Sequence, residues 1–372
     1  MKITTKNVAV ITALFLFTGF DNSQKIADKP VVIGYVAGYD GIIDIEKIDA
    51  SKLTHINYAF VDVKDSKAWL HDEITDTANF RSLNGLKQKN PSLKIMISIG
   101  GWSWSKNFSD AMLIASSRKL FAQSSADIIR KYDLDGVDID WEYPNMRGDN
   151  NKFRPEDKVN YTLMFQALRE ELDRAQQETK KKYLLTTAVG GFTAFIRNTE
   201  MDKAERFLDY INIMTYDYSW GMAGHHTNLY PSSSYEKENS AHRAVTEFIA
   251  AGVPASKLVM GIAFYGKSGL VVTTDNHGLG QKYTGQAKGG GYTFIRDSLI
   301  GQKGFTSYWD ENAKAPYLFN DSTKQFITYE DERSVVAKCR YIKENKMAGV
   351  MFWEYSADPK EYLLKTIEAE LR

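Results

Sequence analysis

The chain has 372 residues, of which 43% are hydrophobic and 25% charged, and these proportions are typical of a soluble globular protein. Lysine plus arginine total 47, as do aspartate plus glutamate, so the net charge is zero and nothing indicates a nucleic-acid surface. The length is compatible with one large barrel or two ordinary domains. The single cysteine, Cys339, excludes an intrachain disulfide, and we interpret it as a small buried core residue.

The N-terminal segment differs in composition from the rest of the chain. Lys2 and Lys6 precede an apolar run from Val8 to Phe17, and small and polar residues follow it. This layout is typical of a secretory signal peptide, and the run is too short to span a bilayer comfortably. We therefore predict a signal peptide over residues 1–23 and export to the periplasm or the extracellular medium. A retained amphiphilic anchor is the alternative, and no other membrane association is expected.

Short apolar runs then alternate with helical patterns. The predicted strands are Val31–Val36, Thr54–Val61, Lys94–Gly100, Gly136–Tyr143, Leu184–Gly190, Tyr210–Asp217, Leu258–Gly266 and Gly349–Tyr355. The predicted helices are Ser109–Tyr132, Asp157–Lys182, Ala204–Leu208, Ser240–Ala251, Glu332–Asn345 and Pro359–Leu371. The nearly continuous apolar character of the strands is typical of a parallel sheet covered on both faces.

Eight strands that alternate with helices predict an α/β fold, a (β/α)8 TIM barrel. An open doubly wound sheet is the alternative. Such a sheet usually has fewer strands, and to bind a nucleotide it would need a glycine-rich phosphate loop after the first strand. The sequence from Tyr35 to Tyr39, YVAGY, is not such a loop.

One connection is too long for a simple turn between a strand and a helix. From Lys267 to Thr328 there is no long helical pattern, but there are glycines in succession from Gly289 to Gly291 and short β-like runs. We predict a small α+β insertion over residues 267–328, after the seventh strand. The barrel would then comprise residues 31–266 and 329–372.

The fourth predicted strand belongs to an unusual acidic run, DGVDIDWEYP, from Asp135 to Pro144. Alternate residues of a strand share one face, so Asp138, Asp140 and Glu142 point together and the apolar residues between them point toward the helices. In a parallel barrel this row faces inward, with Glu142 nearest the carboxyl-terminal mouth, where barrel enzymes place their chemistry. Close carboxyl groups share a proton, and a protonated acid of this kind is what glycosidic cleavage requires. Asp135 is out of phase with the row, and we interpret it as structural.

Two other interpretations of the acidic row were considered. Solvated charges at a strand end are disfavoured, because the interleaved apolar residues indicate a buried strand. Carboxylate clusters also bind Mg²⁺ or Ca²⁺, but no other cluster supplies further obvious ligands. The adjacent His225 and His226 would point in opposite directions in an extended segment. The sequence therefore predicts neither a metal nor a cofactor.

The acidic run resembles the D-x-x-D-x-D-x-E signature of family 18 glycoside hydrolases, the chitinases. Three more segments resemble this family in the same order: SIGGW (Ser98–Trp102), MTYD (Met214–Asp217) and GVMFWEYSAD (Gly349–Asp358). The segment after the seventh strand resembles the family's chitin insertion domain. The resemblance extends from about Val31 to the C-terminus.

The resemblance implies a role for each polar residue of the row. Glu142 would be the general acid and base, and Asp140 would orient and stabilise the acetamido group of the substrate. Asp138 would exchange a hydrogen bond with Asp140, and Tyr216 would hydrogen-bond the acetamido carbonyl. The residues implied to support these groups are Tyr35, Ser98 and Phe60.

The resemblance also implies a sugar-binding surface at the barrel mouth. Trp353 would be the platform under the distorted sugar, and Trp102 would be an aromatic residue on the leaving-group side. The other implied substrate contacts are Met214, Asp217, Tyr143, Gly101, Trp220 and Tyr265. The chain departs from the family in one respect. The family often has Tyr-Gly-Arg after the seventh strand, whereas this chain has Tyr265-Gly266-Lys267, and lysine lacks the planar fork of arginine.

Together these features predict a secreted, monomeric chitinase that acts on chitin or chito-oligosaccharides, which are β-1,4-linked N-acetylglucosamine chains. No second strand supplies an obvious carboxylate nucleophile, and family 18 instead uses the substrate's own acetamido oxygen with retention of configuration. An endo-β-N-acetylglucosaminidase acting on glycoprotein glycans is one alternative, and the insertion argues against its open groove. A non-catalytic chitin-binding lectin is the other, and the presence of Glu142 argues against it.

Overall fold

The computed structural model describes residues 29–236 and 239–372, and the predicted signal peptide lies outside them. The strands are β1 Val31–Ala37, β2 His55–Lys64, β3 Lys67–Trp69, β4 Lys94–Gly100, β5 Gly136–Asp140, β6 Leu184–Gly190, β7 Tyr210–Met214, β8 Leu258–Ala263, β9 Tyr265–Leu270, β10 Gly285–Gly291, β11 Phe305–Asp310, β12 Ala315–Asn320, β13 Gln325–Thr328 and β14 Gly349–Trp353. The α-helices are α1 Glu73–Gly85, α2 Phe108–Ala111, α3 Ala115–Lys131, α4 Asp157–Thr179, α5 Thr193–Arg197, α6 Met201–Ala204, α7 Ala241–Ala250, α8 Tyr292–Ser298, α9 Glu332–Glu344 and α10 Tyr362–Leu371.

Eight parallel strands close into a barrel. Their order is β1, β2, β4, β5, β6, β7, β8 and β14, and β14 pairs back to β1. Each of them overlaps one of the eight predicted apolar runs, so the predicted (β/α)8 TIM barrel is confirmed. Closure excludes the doubly wound alternative, because an open sheet would leave two edge strands without a parallel neighbour.

The helices differ from the predicted ones in several places, and α5, α8 and most of α6 were not predicted. No α-helix follows β1, where two short 3₁₀ turns stand instead. The predicted helix over residues 109–132 is divided into α2 and α3. Helix α1 was not predicted, because its buried apolar side chains are only Phe80 and Leu83 and the rest of its sequence is largely polar. Its start is fixed by Asp72, whose side chain accepts hydrogen bonds from the N–H groups of Ile74 and Thr75.

Two strands at the site end earlier than the apolar pattern suggested. Strand β5 ends at Asp140, because the Glu142 N–H donates to Ser105 Oγ at 2.8 Å instead of joining the strand ladder. Strand β7 ends at Met214, because the Thr215 N–H turns back to the carbonyl of Ile213. Glu142 therefore lies just beyond its strand, at the mouth of the barrel.

The hydrophobic core has two layers that the sheet separates. The larger layer lies between the strands and the helices and includes Trp141, which is 1% exposed and stacks on Phe108 at 5.2 Å. The smaller layer fills the inside of the barrel near its base, with Ile33, Val259 and Met351. The apolar residues of the acidic run thus point outward as predicted, and their burial holds the acids on the inner side.

A second sheet adjoins the barrel. It contains five antiparallel strands in the order β10, β9, β13, β12 and β11, and β9 follows β8 after a single residue, Phe264. Its own apolar cluster, which includes Phe319 and Phe326, also takes in Ala223 from the loop after β7. The sheet thus packs on a loop at the barrel mouth. Among residues 29–236 and 239–372, the helices are too short or too polar to cross a membrane.

Candidate active site

The lowest layer of the site surrounds Asp138. The cross-strand neighbours of Asp138 are Ser98 on β4 and Thr186 on β6, and both hydroxyls donate to its carboxylate, at 2.7 and 2.6 Å. Tyr35 donates to the same carboxylate at 2.9 Å, and the Asn212 amide donates at 3.2 Å. Burial raises the pKa of Asp138, and these four hydrogen bonds act in the opposite direction.

The next layer, at Asp140, lacks such donors. On β4 the cross-strand neighbour is Gly100, which has no side chain. On β6 the residue that follows the partner of Ile139 is Ala188, which has no polar group. Asp140 Oδ1 is buried, and because these neighbours carry no donor, it accepts no hydrogen bond from the described part of the chain. Burial raises the pKa of Asp140 well above its usual value, and the charges of Glu142 and Asp138 raise it further.

Glu142 completes the row at the mouth, where 9% of its surface is exposed. Burial raises the pKa of Glu142 to about 7; an interaction with Tyr143 lowers this pKa and the charge of Asp217 raises it. A carboxyl group with a pKa near 7 is in large part protonated at neutral pH and can transfer its proton to a bound substrate.

Asp217 faces this acid from the end of β7 and is held as an anion. Tyr265 donates to Asp217 Oδ1 at 2.6 Å, Lys267 Nζ lies 2.7 Å from the same oxygen, and His226 Nδ1 lies 3.6 Å from it. Burial would raise the pKa of Asp217, but His226 and Lys267 outweigh it and hold this pKa far below its usual range. The lysine that departs from the family pattern is thus engaged with Asp217.

Tyr216 lies between these acids, and in the described part of the chain the recorded hydrogen-bond partner of its hydroxyl is a weak one, the sulfur of Met351 at 3.8 Å. Burial raises the pKa of Tyr216 well above 10, with Asp140 as the next largest cause. The hydroxyl therefore keeps its proton and is able to donate it in a hydrogen bond to a ligand.

Aromatic rings line the rest of the cavity, whose volume is about 740 Å³. Trp353 stacks on Phe60 at 5.4 Å, and Phe60 stacks in turn on Tyr39 at 6.5 Å. Trp102 and Trp220 are 46% and 68% exposed at the rim. Flat, partly exposed rings around buried carboxyl groups are a surface on which pyranose rings can stack.

Comparison with known proteins identifies the family. The model of glycosyl hydrolases family 18 matches residues 31–358. The chain belongs to this family. It is 38% identical to chitinase A1 of Niallia circulans over 94% of its own length and 59% of that protein, so it spans less than two thirds of this relative.

Solved structures of family 18 agree with this assignment. A family 18 N-acetylglucosaminidase from Paenibacillus barengoltzii is 39% identical, with a TM-score of 0.86 over 92% of this chain and 100% of that one. A chitinase from Bacillus thuringiensis is 33% identical, with a TM-score of 0.87 over 92% of this chain and 70% of that one. The predicted family and the predicted enzyme class, a glycoside hydrolase, are confirmed.

The family 18 barrel brings most of the predicted site residues to one cavity. Its lining includes Asp140, Glu142, Tyr216, Trp353, Trp102, Met214, Asp217, Tyr143, Trp220, Tyr265, Tyr35 and Phe60. Asp138 and Ser98 lie beneath the lining, in the lower layer. Gly101 does not line the cavity; its N–H donates to the Asp140 carbonyl, and a Cβ there would lie 2.5 Å from the Phe60 ring.

Other members of the site were not predicted. Thr186 and Asn212 escaped notice because their contact with Asp138 depends on the register between strands, which the apolar pattern does not reveal. Met146 and Arg147 line the cavity from the loop after Glu142, and Phe192 lines it from the loop after β6. The position of Met146 and Arg147 immediately after the acidic signature was a signal that could have found them.

Asp135 and the histidine pair lie outside the row. Asp135 accepts from the Ile95 N–H at 2.8 Å and pairs with Lys87 at 2.6 Å, on the side away from the mouth. His225 pairs with Asp310 of β11 at 3.1 Å, while His226 faces Asp217. Within the described residues, no group of three or more histidine, cysteine, aspartate or glutamate side chains is arranged to hold a metal ion.

Proposed function

We propose that this family 18 enzyme is a chitinase that hydrolyses β-1,4-linked N-acetylglucosamine chains with retention of configuration, using the 2-acetamido group of the substrate. The observation that carries the proposal is the buried Asp140 Oδ1, which has no protein partner in the described residues and lies next to an acid with a pKa of about 7. An acetamido N–H is a donor of the kind that this oxygen lacks.

In the first step, Glu142 transfers its proton to the glycosidic oxygen while the bond from that oxygen to the anomeric carbon breaks. The acetamido carbonyl oxygen forms a bond to the same carbon, and the positive charge of the resulting oxazolinium ring lies partly on its nitrogen. Asp140 accepts a hydrogen bond from the acetamido N–H and stabilises this charge. The Tyr216 hydroxyl donates a hydrogen bond to the acetamido oxygen and orients it.

In the second step, the Glu142 carboxylate takes a proton from water as the water oxygen attacks the anomeric carbon. The bond from that carbon to the acetamido oxygen breaks, and the acetamido group is restored. Two inversions at one carbon give net retention. Within the proposal, Asp138 keeps the row aligned from below, and Trp353, Phe60 and Trp102 hold the sugar rings on either side of the cleaved bond.

The experiment that tests the proposal is hydrolysis of chitin hexasaccharide, with product lengths and the initial anomer read by chromatography. Wild type should give β-anomeric products, and a glucose hexamer with the same β-1,4 linkage but no acetamido group should stay intact. Cleavage of both substrates at similar rates, or α-anomeric first products, would overturn the acetamido-assisted mechanism.

A second candidate is an N-acetylglucosaminidase that removes single sugars. The similarity to the Paenibacillus protein favours it, because this chain covers the whole of that one. The same experiment separates the two activities: dimers and longer products indicate a chitinase, and N-acetylglucosamine alone from the first time point indicates the second candidate.

Export by the segment over residues 1–23 is also a proposal. The apolar run after Lys2 and Lys6 supports it. Sequencing the N-terminus of the protein recovered from the medium or the periplasm tests it, and a protein that keeps residues 1–23 would contradict cleavage.

A further inference from the structure

Lys267 lies where the five-stranded sheet meets the barrel mouth. It is the third residue of β9, and its Nζ lies 2.7 Å from Asp217 Oδ1 and 4.2 Å from the centre of the Trp220 ring. Asp217 and Trp220 both belong to the segment that follows β7. One ammonium group therefore ties a charged residue and an aromatic residue of the cleft to the neighbouring sheet.

Packing covers only part of the Trp220 side chain, since 68% of the residue is exposed. A cation over an indole face is attracted by the negative charge of the ring face, and tryptophan gives the strongest attraction of this kind. Lys267 is itself held in place by Asp217, so its ammonium group is a fixed support for the ring.

The same ammonium group acts on the acid at the mouth. Among the described residues, the titratable groups that interact electrostatically with Glu142 include Asp140, Asp217, Tyr143, Tyr216 and Tyr265, and Arg147 lines the same cavity. Among these, Asp217 is the anion that Lys267 pairs with. His226 also faces Asp217, but burial lowers the pKa of His226, so among the described residues we assign the main offsetting charge at this anion to the ammonium group of Lys267.

We propose that Lys267 is a positioning residue with two effects: it holds the Trp220 ring at the cleft, and it offsets the charge with which Asp217 acts on Glu142. The proposal rests on the proposed function, because it concerns how that function's acid and sugar platform are set. Lys267 needs no contact with the substrate to have either effect.

The test compares Lys267→Met with Lys267→Arg. Without the ammonium group, the charge of Asp217 is offset less and favours protonated Glu142 more strongly. The alkaline limb of kcat/KM against pH should then move upward, by on the order of half a pH unit. The KM for chitin hexasaccharide should rise about threefold as the Trp220 ring loosens. Lys267→Arg keeps the charge and can stack on the indole, so it should restore both values toward wild type.

Lys365→Met is the matched control, because it removes the same charge from α10, on the outside of the barrel. It should leave both the pH limb and KM unchanged. A shift in Lys365→Met as large as in Lys267→Met would overturn the proposal, because the effect would then reflect net charge. Equal values in wild type and Lys267→Met would overturn it as well.

A readout that needs no catalysis separates this proposal from the proposed function. Acrylamide quenching of tryptophan emission, with Trp220→Phe used to identify the share of Trp220, should increase in Lys267→Met and not in Lys267→Arg. If wild type cleaves no chitin oligosaccharide, the proposed function fails. Increased quenching in Lys267→Met would still show that Lys267 holds the Trp220 ring. If the quenching of Trp220 emission is the same in Lys267→Met and wild type, Lys267 does not hold the ring, whatever the activity of the enzyme.

Discussion

Two successive layers of the barrel interior, those of Asp138 and Asp140, differ in one respect that bears on function. Both acids come from β5, lie two residues apart and are buried. The carboxylate of Asp138 accepts hydrogen bonds from four side chains, on β1, β4, β6 and β7, whereas Asp140 Oδ1, flanked by Gly100 and Ala188, accepts none from the described residues. Asp138 is satisfied within the protein, and in our proposal the acetamido group of the substrate supplies the partner that Asp140 Oδ1 lacks.

The missing hydrogen bond at Asp140 destabilises the protein without ligand and favours binding of a substrate. A buried acceptor without a donor costs on the order of 1–3 kcal/mol, and a bound substrate that supplies the donor recovers this free energy.

The largest effect is expected at the mouth. Glu142→Gln keeps the shape of the side chain but removes its transferable proton, so kcat should fall by about 10³-fold or more. The affinity for chitin hexasaccharide, measured by calorimetry, should stay close to that of wild type. Residual turnover within about tenfold of wild type would remove Glu142 from the role of general acid.

A smaller loss is expected from Asp140→Asn, about 10²-fold in kcat, because an amide stabilises the positive oxazolinium nitrogen less well than a carboxylate. Wild type should lose kcat/KM as the pH rises through about 7, since Glu142 must be protonated. Asp140→Asn also removes the second carboxyl group of the coupled pair, so the alkaline limb should shift relative to wild type. An unchanged limb would contradict the coupling of the two acids.

In the lower layer, the effect should appear in stability. Asp138→Asn turns an NH₂ group toward donors that need an acceptor, and the free energy of unfolding should fall by about 1–3 kcal/mol. Urea titration measures this change. The matched control is Asp65→Asn at the exposed turn after β2, which should change stability by less than about 0.5 kcal/mol. Equal stability of both variants would show that the four donors do not need a carboxylate.

The smallest effect is expected from the sugar platform. Trp353→Ala removes a ring that stacks on Phe60, and the affinity for soluble chito-oligosaccharides should fall several-fold, up to about tenfold. Trp69→Ala, at an exposed ring of β3 outside the cavity lining, is the control and should bind like wild type. Equal affinity of Trp353→Ala and wild type would assign Trp353 to the core alone.

The barrel and the acidic row were accessible from the sequence for physical reasons. Buried parallel strands are apolar throughout, and the two-residue period of a strand places Asp138 and Asp140 on one face whatever the rest of the fold does. The period also separated Trp141 from the acids correctly. Strand ends were less accessible, because Tyr143 and Tyr216, beyond Asp140 and Met214, continue the strand-like pattern but line the mouth.

The donor set of Asp138 could not be derived in the same way. Thr186 and Asn212 reach this acid through the register of β6 and β7, which the closure of the barrel determines and no local pattern records. The lack of a hydrogen-bond partner for Asp140 Oδ1 among the described residues could not be predicted from the sequence either. It depends on which residues the strand register places beside Asp140. Helix α1 was missed because few of its residues are apolar.

The most direct test of the central claim is the crystal structure of Glu142→Gln with bound chitin hexasaccharide, in which the distance from Asp140 to the acetamido nitrogen at the cleavage point is measured. The account predicts a hydrogen bond of about 3 Å between the Asp140 carboxylate and this nitrogen. An acetamido group that points away, with Asp140 Oδ1 still without a partner, would contradict the claim that the substrate completes the upper layer.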